Sequence, residues 1–153
     1  MNRNIPTNER AFTLIELLMV SLILGLLLLM SSTVFSALRS SANYAVVAQG
    51  MGDARKAFVA GLGAHDKIMN ALELSQKTAG ELKDSTAREL LPAFRLSKKV
   101  ALDLTYDPTC EDLGCEELYI QLRHCQGKEF QRLVRFGNGI EVLQENIQGE
   151  GCP

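Results

Sequence analysis

The sequence predicts an α+β protein in which one long N-terminal helix, transmembrane in its first half, packs against a C-terminal antiparallel sheet of about four strands. Three observations lead to this fold. Residues 17–38 contain no charged side chain, an apolar stripe with helical spacing follows them, and apolar and polar residues alternate from Val100 onward. At 153 residues, the chain has the length of one ordinary domain of about 100–200 residues.

The uncharged run from Leu17 to Leu38 has the length of a membrane span. Its 22 residues extend about 33 Å as a helix at about 1.5 Å per residue, and a bilayer core is about 30 Å thick. A cleavable secretory signal is the competing interpretation, because Leu17–Met30 is short enough for one and Ser31–Ser32 follows. Arg3 and Arg10 precede the run, which favours a cytoplasmic N-terminus and an exported remainder.

Glu16 stands immediately before this run. A carboxylate inside a membrane costs about 2.5–3.5 kcal/mol and commonly marks a function that involves a charged partner. The alternative is that Glu16 lies at the level of the headgroups and is hydrated. No basic residue occurs between Leu17 and Leu38, so a partner would have to come from another chain or from a new N-terminus.

The residues around Glu16 resemble the class III signal of type IV prepilins and pseudopilins. The signal combines a short polar, basic leader, a small residue, a Phe, a Glu four positions later and a long apolar helix. The resemblance implies that a prepilin peptidase removes leader 1–11 by cutting between Ala11 and Phe12, and that it methylates Phe12. It also implies that Glu16 neutralises the terminal amine of a neighbouring subunit in a fibre. The family usually has Gly before the cut, where this chain has Ala11.

Similarity at Leu22–Leu29 and Arg132–Ile147 makes the chain resemble W-type minor pilins, which are related to J-type minor pseudopilins. The resemblance implies a pilin-like fold and a minor subunit that enters or primes a pilus fibre, for assembly, motility, adhesion or DNA uptake. Two alternatives stay open. One is a minor pseudopilin of a type II secretion system, and the other is a single-pass anchored periplasmic binding domain that does not polymerise.

The same resemblance implies partners and a location. The expected partners are prepilin peptidase, other major and minor pilins, the inner-membrane assembly platform and membrane lipid. The chain would be a single-pass inner-membrane protein with its head in the periplasm, and part of a pilus or pseudopilus fibre after assembly.

Nucleic-acid contact is not expected, because the net charge is −2, aromatic residues make up 6% and Trp is absent.

Beyond the leader, the sequence divides into a transmembrane or assembly helix at 12–38 and an exported head at 39–153. The helix should continue into the head as far as about residue 62, because apolar residues recur at spacings of three and four until Gly61 and Gly63 provide stop signals. The stripe consists of Tyr44, Val47, Met51, Ala54 and Phe58.

Residues 63–99 have no pattern that assigns them a role. Ile68–Gln76 indicates a short helix. Thr86–Glu89 has the spacing of a capping box, but Pro92 follows too soon for a long helix. The mixed charge of Lys83–Lys99 is typical of a solvated surface.

Four alternating segments predict the sheet, which should occupy about residues 100–147. The segments are 100–107, 118–123, 130–136 and 140–147. Gly137-Asn138-Gly139 between the last two is a strong hairpin signal. The sheet is therefore expected to be an up-and-down meander.

No enzyme motif is present, and neither a catalytic residue nor a cofactor or metal is expected. The chain lacks a Gly-rich phosphate loop, His-Glu-x-x-His and Gly-x-Ser-x-Gly. His65 and His124 are its two histidines, and no constellation accompanies either of them.

The acidic stretch at 103–117 begins with the pattern of a calcium-binding loop. Asp103, Thr105 and Asp107 have the spacing of the first three EF-hand ligands. The pattern then fails, because Pro108 stands where the loop needs Gly and Gly114 stands where it needs a bidentate Glu. An irregular site that also uses acidic residues further along this stretch stays open.

The four cysteines are Cys110, Cys115, Cys125 and Cys152. An even number in an exported head predicts two disulfides, whereas zinc is disfavoured because no close Cys-x-x-Cys pair occurs. In a meander, Cys110 and Cys115 share the loop at one end of the sheet, and Cys125 and Cys152 lie at the other. The predicted pairs are therefore Cys110–Cys115 and Cys125–Cys152, since cross-pairing would have to bridge a strand about 20 Å long.

Overall fold

The structure, a computed structural model, describes residues 13–62, 68, 70–110, 114–149 and 152. The chain divides after Leu38 into an N-terminal unit and a second unit that begins at Arg39 and is called the head below. The secondary-structure elements, in chain order, are α1 Leu14–Gly61, β1 Leu72–Gln76, β2 Gly80–Glu81, α2 Ser85–Leu90, β3 Arg95–Leu96, β4 Val100–Tyr106, β5 Glu116–His124, β6 Glu129–Phe136 and β7 Glu141–Gln148.

The part of α1 in the N-terminal unit is apolar on every side. Its described side chains are all exposed, with values such as 84% at Leu14 and 71% at Leu29. The helix is long and apolar enough to cross a membrane, and no part of its apolar window is buried inside the molecule. A helix that is hydrophobic all round needs an apolar environment outside its own chain, in lipid or against other helices.

The part of α1 in the head is amphipathic, as the predicted stripe requires. Val47, Met51, Ala54 and Phe58 are at most 2% exposed, and Tyr44 is half-buried. The Tyr44 hydroxyl accepts a hydrogen bond of 3.0 Å from the side-chain amide of Gln131 on β6. This face of α1 therefore packs on the sheet, and the stripe predicted from the spacing of apolar residues is confirmed.

The main sheet is antiparallel throughout, with the strand order β1-β4-β5-β6-β7. Strands β4 to β7 form the predicted meander. The β6–β7 hairpin lies at the predicted turn, where Gly139 has a φ of +79° that a residue with a side chain rarely adopts. The α+β class is therefore confirmed, and the sheet has five strands instead of about four.

The extra strand corrects the expectation of a short helix at Ile68–Gln76. Leu72–Gln76 forms β1, and its residues pair in register with β4 from Leu72 opposite Tyr106 to Gln76 opposite Leu102. Leu72 and Leu74 pack against the core, whereas Glu73 and Ser75 are exposed. Buried and exposed residues thus alternate with a period of two, as in a strand. Pairing with β4, which begins 24 residues after Gln76, stabilises this strand.

The expectation that Lys83–Lys99 forms a solvated surface is right for its charged side chains and wrong for its apolar ones. Its charged residues are largely exposed, but the segment also supplies core residues that lie between its charges and are at most 6% exposed. They are Ala87, Leu90, Leu91, Phe94 and Leu96. The core is one contiguous cluster formed by this segment, the head part of α1 and one face of the main sheet.

Two disulfides join the cysteines in the pairs that the meander predicts. Cys110 pairs with Cys115 across the β4–β5 connection, and Cys125 pairs with Cys152 after β7. The second bridge fastens Cys152, near the end of the chain, to the turn between β5 and β6. Both bridges belong to the head.

Candidate functional site

The N-terminal end of α1 carries a reciprocal capping arrangement between Thr13 and Glu16. The Thr13 backbone N–H donates to a Glu16 carboxylate oxygen at 3.4 Å, and the Glu16 N–H donates to the Thr13 hydroxyl at 3.4 Å. The Thr13 hydroxyl also donates to the same carboxylate oxygen. This is a capping box, which satisfies two of the backbone donors that every helix leaves free at its start.

Glu16 is exposed, and the N-terminal end of the helix favours its negative charge. In the next turn, the Ser21 hydroxyl donates to the carbonyl oxygen of Leu18 at 2.8 Å, so its polar group is satisfied inside the helix. Glu16 is the one acidic residue in the sequence from Leu14 to Leu38. Geometrically, it can bind its own helix start or a cation brought from another chain.

Ala11 and Phe12, the predicted cleavage and methylation residues, lie outside the described residues, and so does His65. Glu16 is described, at the helix start as above. The four cysteines form the disulfides Cys110–Cys115 and Cys125–Cys152 and lie in the head. Glu16 belongs to the N-terminal unit, and the four cysteines belong to the head.

The candidate calcium residues make other contacts. Asp103 accepts a hydrogen bond of 2.7 Å from the Ser75 hydroxyl and forms an ion pair with Arg123. The Asp107 carboxylate accepts hydrogen bonds from the Thr109 hydroxyl at 2.7 Å and the Thr109 N–H at 2.9 Å, and these lower the pKa of Asp107. Among the residues that the structure describes, no group of three or more metal-ligating side chains could hold an ion.

His124 ends β5 and is 6% exposed. Its Nδ1 accepts a hydrogen bond of 3.2 Å from the backbone N–H of Gln126. Burial, and secondly the positive charge of Lys99, lower the pKa of His124 below its usual 6.5. A neutral imidazole that accepts a backbone hydrogen bond supports the β5–β6 turn, which also holds Cys125.

Sequence reasoning missed a polar row across the face of the main sheet that is turned away from the core. The strand register places one residue of each strand in this row, from Ser75 on β1 to Gln144 on β7. Its members are Ser75, Asp103, Gln121, Arg132 and Gln144. The alternation of apolar and polar residues could have revealed the members of the row on β4 to β7. It could not have revealed Ser75, because β1 was not predicted as a strand.

Comparison with known proteins adds one finding. Residues 6–32 match a family model described as the prokaryotic N-terminal methylation motif. No curated protein and no solved structure matches the chain. The motif covers the capping box, Glu16 and most of the exposed apolar helix, and it supports a type IV pilin-like or pseudopilin-like protein that is a substrate of prepilin peptidase.

Proposed function

We propose that this chain is a minor type IV pilin of the W type, which is cleaved between Ala11 and Phe12, methylated on Phe12, and incorporated into or used to prime a pilus fibre. The observation that carries the proposal is the methylation motif at residues 6–32. It overlaps an apolar helix whose described side chains are exposed. The motif belongs to a structural-subunit class of protein, and the proposed role is packing and not catalysis.

Charge supports a role for Glu16 in assembly. Cleavage after Ala11 would create an ammonium group on Phe12, and that group is the cation that the apolar run lacks. In a bundle of helices with low dielectric, a carboxylate and an ammonium from two subunits form a strong, charge-assisted pair. The pair would fix the axial register of one subunit against the next, because an unpaired charge there is costly.

The proposed location follows from the helix and the cysteines. Residues 12–38 would cross the inner membrane until the assembly platform extracts the subunit into a fibre with other major and minor pilins. The head, at 39–153, would be periplasmic, since an oxidising compartment allows the disulfides Cys110–Cys115 and Cys125–Cys152 to form and persist.

Intact-mass and N-terminal peptide spectrometry of the protein from membranes and from sheared fibres tests the processing step. The expected product begins with N-methylated Phe12. Replacing Ala11 with the family's usual Gly should preserve cleavage, whereas Ala11→Leu, which is bulky, should leave the leader attached. An intact leader in the parent protein, or a cut near Ser31–Ser32, would contradict the proposal.

Deletion of the gene separates the pilus from the secretion machine. A minor pilin is expected to affect surface pili, twitching motility or DNA uptake while protein secretion continues. Loss of protein secretion with intact pili would instead identify a minor pseudopilin of a type II secretion system, the alternative that the motif equally allows. A processed protein that never enters any fibre would favour an anchored binding domain.

A further inference from the structure

The arginines of the main sheet differ in their ion pairs. Arg123 on β5 forms an ion pair with Asp103, and Arg135 on β6 lies 3.6 Å from a carboxylate oxygen of Glu117. Arg132, which lies on the outward face as Arg123 does, has no carboxylate within 4.0 Å among the described residues. It is therefore the arginine of the main sheet whose charge this part of the chain leaves uncompensated.

The neighbours of Arg132 explain the difference. The residues directly opposite it are Gln121 on β5 and Gln144 on β7, both neutral counterparts of glutamate. Its guanidinium carbon lies 5.3 Å from the ring centre of Tyr119 and 6.0 Å from that of Phe130. Two rings thus fix the orientation of the guanidinium group, but they do not neutralise its charge.

Arg132 also has a side-chain nitrogen without a hydrogen bond. It is half-buried, and its Nε is buried without a hydrogen-bond partner. One nitrogen each of Arg123 and Arg135 is in the same state, but those two side chains have an acid at another nitrogen. A planar guanidinium held in place and short of an acceptor is suited to a carboxylate, which it can bind through two parallel hydrogen bonds.

The surroundings favour a carboxylate carried by a peptide. Strand β7 is an edge of the main sheet, and an edge offers backbone donors and acceptors to an added strand. Val142 and Gln144 on β7 lie on the same face as Arg132, and both are exposed. An acidic residue next to an apolar one could therefore reach Arg132 and cover Val142 together.

We propose that Arg132 anchors a docking site for an acidic peptide segment of a partner protein, which lies along β7 with one of its carboxylates on the Arg132 guanidinium. The site consists of Arg132, Tyr119, Phe130, Val142 and Gln144. It does not depend on processing at the N-terminus, so its failure would leave the proposed function untouched.

The test uses the full chain in detergent micelles and two capped pentapeptides. One alternates valine with glutamate, and the other has glutamine in place of glutamate. Arginine Nε–Hε resonances report the site by NMR, and titration gives the affinity. The glutamate peptide should shift the Arg132 resonance and bind at least tenfold more tightly than the glutamine peptide. Equal affinity of the two peptides, or no binding, would overturn the proposal.

Two variants and a control locate the binding. Arg132→Gln should weaken binding of the glutamate peptide at least tenfold. Arg95→Gln removes the same charge from an exposed arginine on β3 and should leave the affinity within twofold. Gln144→Glu is isosteric and exposed, and it would give Arg132 an acid within the chain. It should therefore also weaken peptide binding tenfold and raise the unfolding midpoint.

Intact folding of each variant is checked by the two disulfide peptides in a non-reducing map. Unchanged peptide affinity in Gln144→Glu would overturn the site even if Arg132→Gln failed to fold. A trimer of galacturonic acid supplies carboxylates on a sugar. If the trimer binds through Arg132 and the glutamate peptide does not, the ligand is an acidic saccharide and the peptide proposal is wrong.

Discussion

Gly61 ends α1 at a point where the following helix leaves no room for a side chain. A Cβ at Gly61 would lie 2.5 Å from the carbonyl oxygen of Leu90 and 3.1 Å from that of Glu89. Both atoms belong to the backbone, so they cannot move aside without shifting α2. The stop signal in the sequence therefore also serves as a close contact between α1 and α2.

Gly61→Ala is expected to destabilise the head by about 1–3 kcal/mol, which is the usual cost of forcing an extra carbon into a packed site. Gly52→Ala is the matched control, because a Cβ there meets no atom within 4 Å. That substitution should stabilise α1 by up to about 1 kcal/mol through helix propensity. Urea unfolding of the full chain in micelles measures both, and equal midpoints for the two variants would contradict the packing argument.

The protonation of His124 is expected to make the head less stable in mild acid. Because burial lowers its pKa in the folded state, the unfolded chain takes up the proton first as the pH falls. The contribution of neutral His124 is fully present above its usual pKa of 6.5 and declines as the pH falls toward the folded-state pKa. For one proton the slope cannot exceed about 1.4 kcal/mol per pH unit.

Unfolding midpoints between pH 8 and pH 5 measure this effect, with His124→Gln as the comparison. The Gln side chain can still accept the hydrogen bond from Gln126 but does not titrate in this range. His65 is present in both proteins, so the difference between their pH profiles isolates His124. Parallel profiles would show that His124 does not titrate differently in the folded and unfolded states.

At the scale of elements, α2 depends on Asp84. The Asp84 carboxylate accepts a hydrogen bond of 2.9 Å from the Ala87 N–H and caps a helix of six residues. Asp84→Ala should destabilise the head by about 0.5–2 kcal/mol, whereas Asp84→Asn keeps the acceptor and should cost much less. Thermal unfolding of both variants checks this, and equal losses would show that the cap is not what Asp84 contributes.

Two segments with the same Thr-x-x-Glu spacing show what a local pattern can predict. Thr13–Glu16 is a true capping box, while Thr86–Glu89 lies inside α2, which Asp84 already caps. The two segments share a spacing but differ in whether the Thr stands at the start of a helix. A capping box can therefore be predicted from the sequence only when the position of the first helical turn is known.

Strand β1 shows a second limit. Its alternation, Leu72-Glu73-Leu74-Ser75, was readable, but five residues are too few to separate a strand from a helical turn without knowledge of the partner. The following loop is held by Gln76, which is 3% exposed. The Gln76 amide donates to the carbonyl oxygen of Thr78 at 2.8 Å, and its oxygen accepts from the Lys83 N–H at 2.9 Å. A buried polar residue of this kind has no signature in a hydrophobic pattern.

At the scale of the whole molecule, the long periodic segments were the predictable ones. The stripe on α1 and the alternation of β4 to β7 each extend over seven or more residues. Several residues in each segment therefore agree on which face is buried. The disulfide pairs then followed from the strand order. Residues 68–99 were not predictable, because their short elements are stabilised by contacts with β4 and α1, which are distant in sequence.

The proposed function, in contrast, rests on residues 6–32, and in that proposal Glu16 pairs neighbouring subunits during assembly. The structure gives Glu16 a role within its own helix, whereas the proposed function gives it a role between subunits. The two roles differ in what they require of the side chain. Capping needs an oxygen that accepts from Thr13, but pairing with an ammonium group needs a negative charge.

Glu16→Gln and Glu16→Ala separate these roles. Gln keeps the capping acceptor and loses the charge, and Ala loses both. Because an intramembrane charge is removed in each case, membrane insertion should be as good as in the parent protein or better. If Glu16 pairs with the amine of a neighbouring subunit, both variants should be processed at Ala11 yet be depleted at least tenfold from sheared fibres. Immunoblots of fibre and membrane fractions measure the ratio. Normal incorporation of Glu16→Gln together with loss of Glu16→Ala would show that Glu16 acts only as a helix cap.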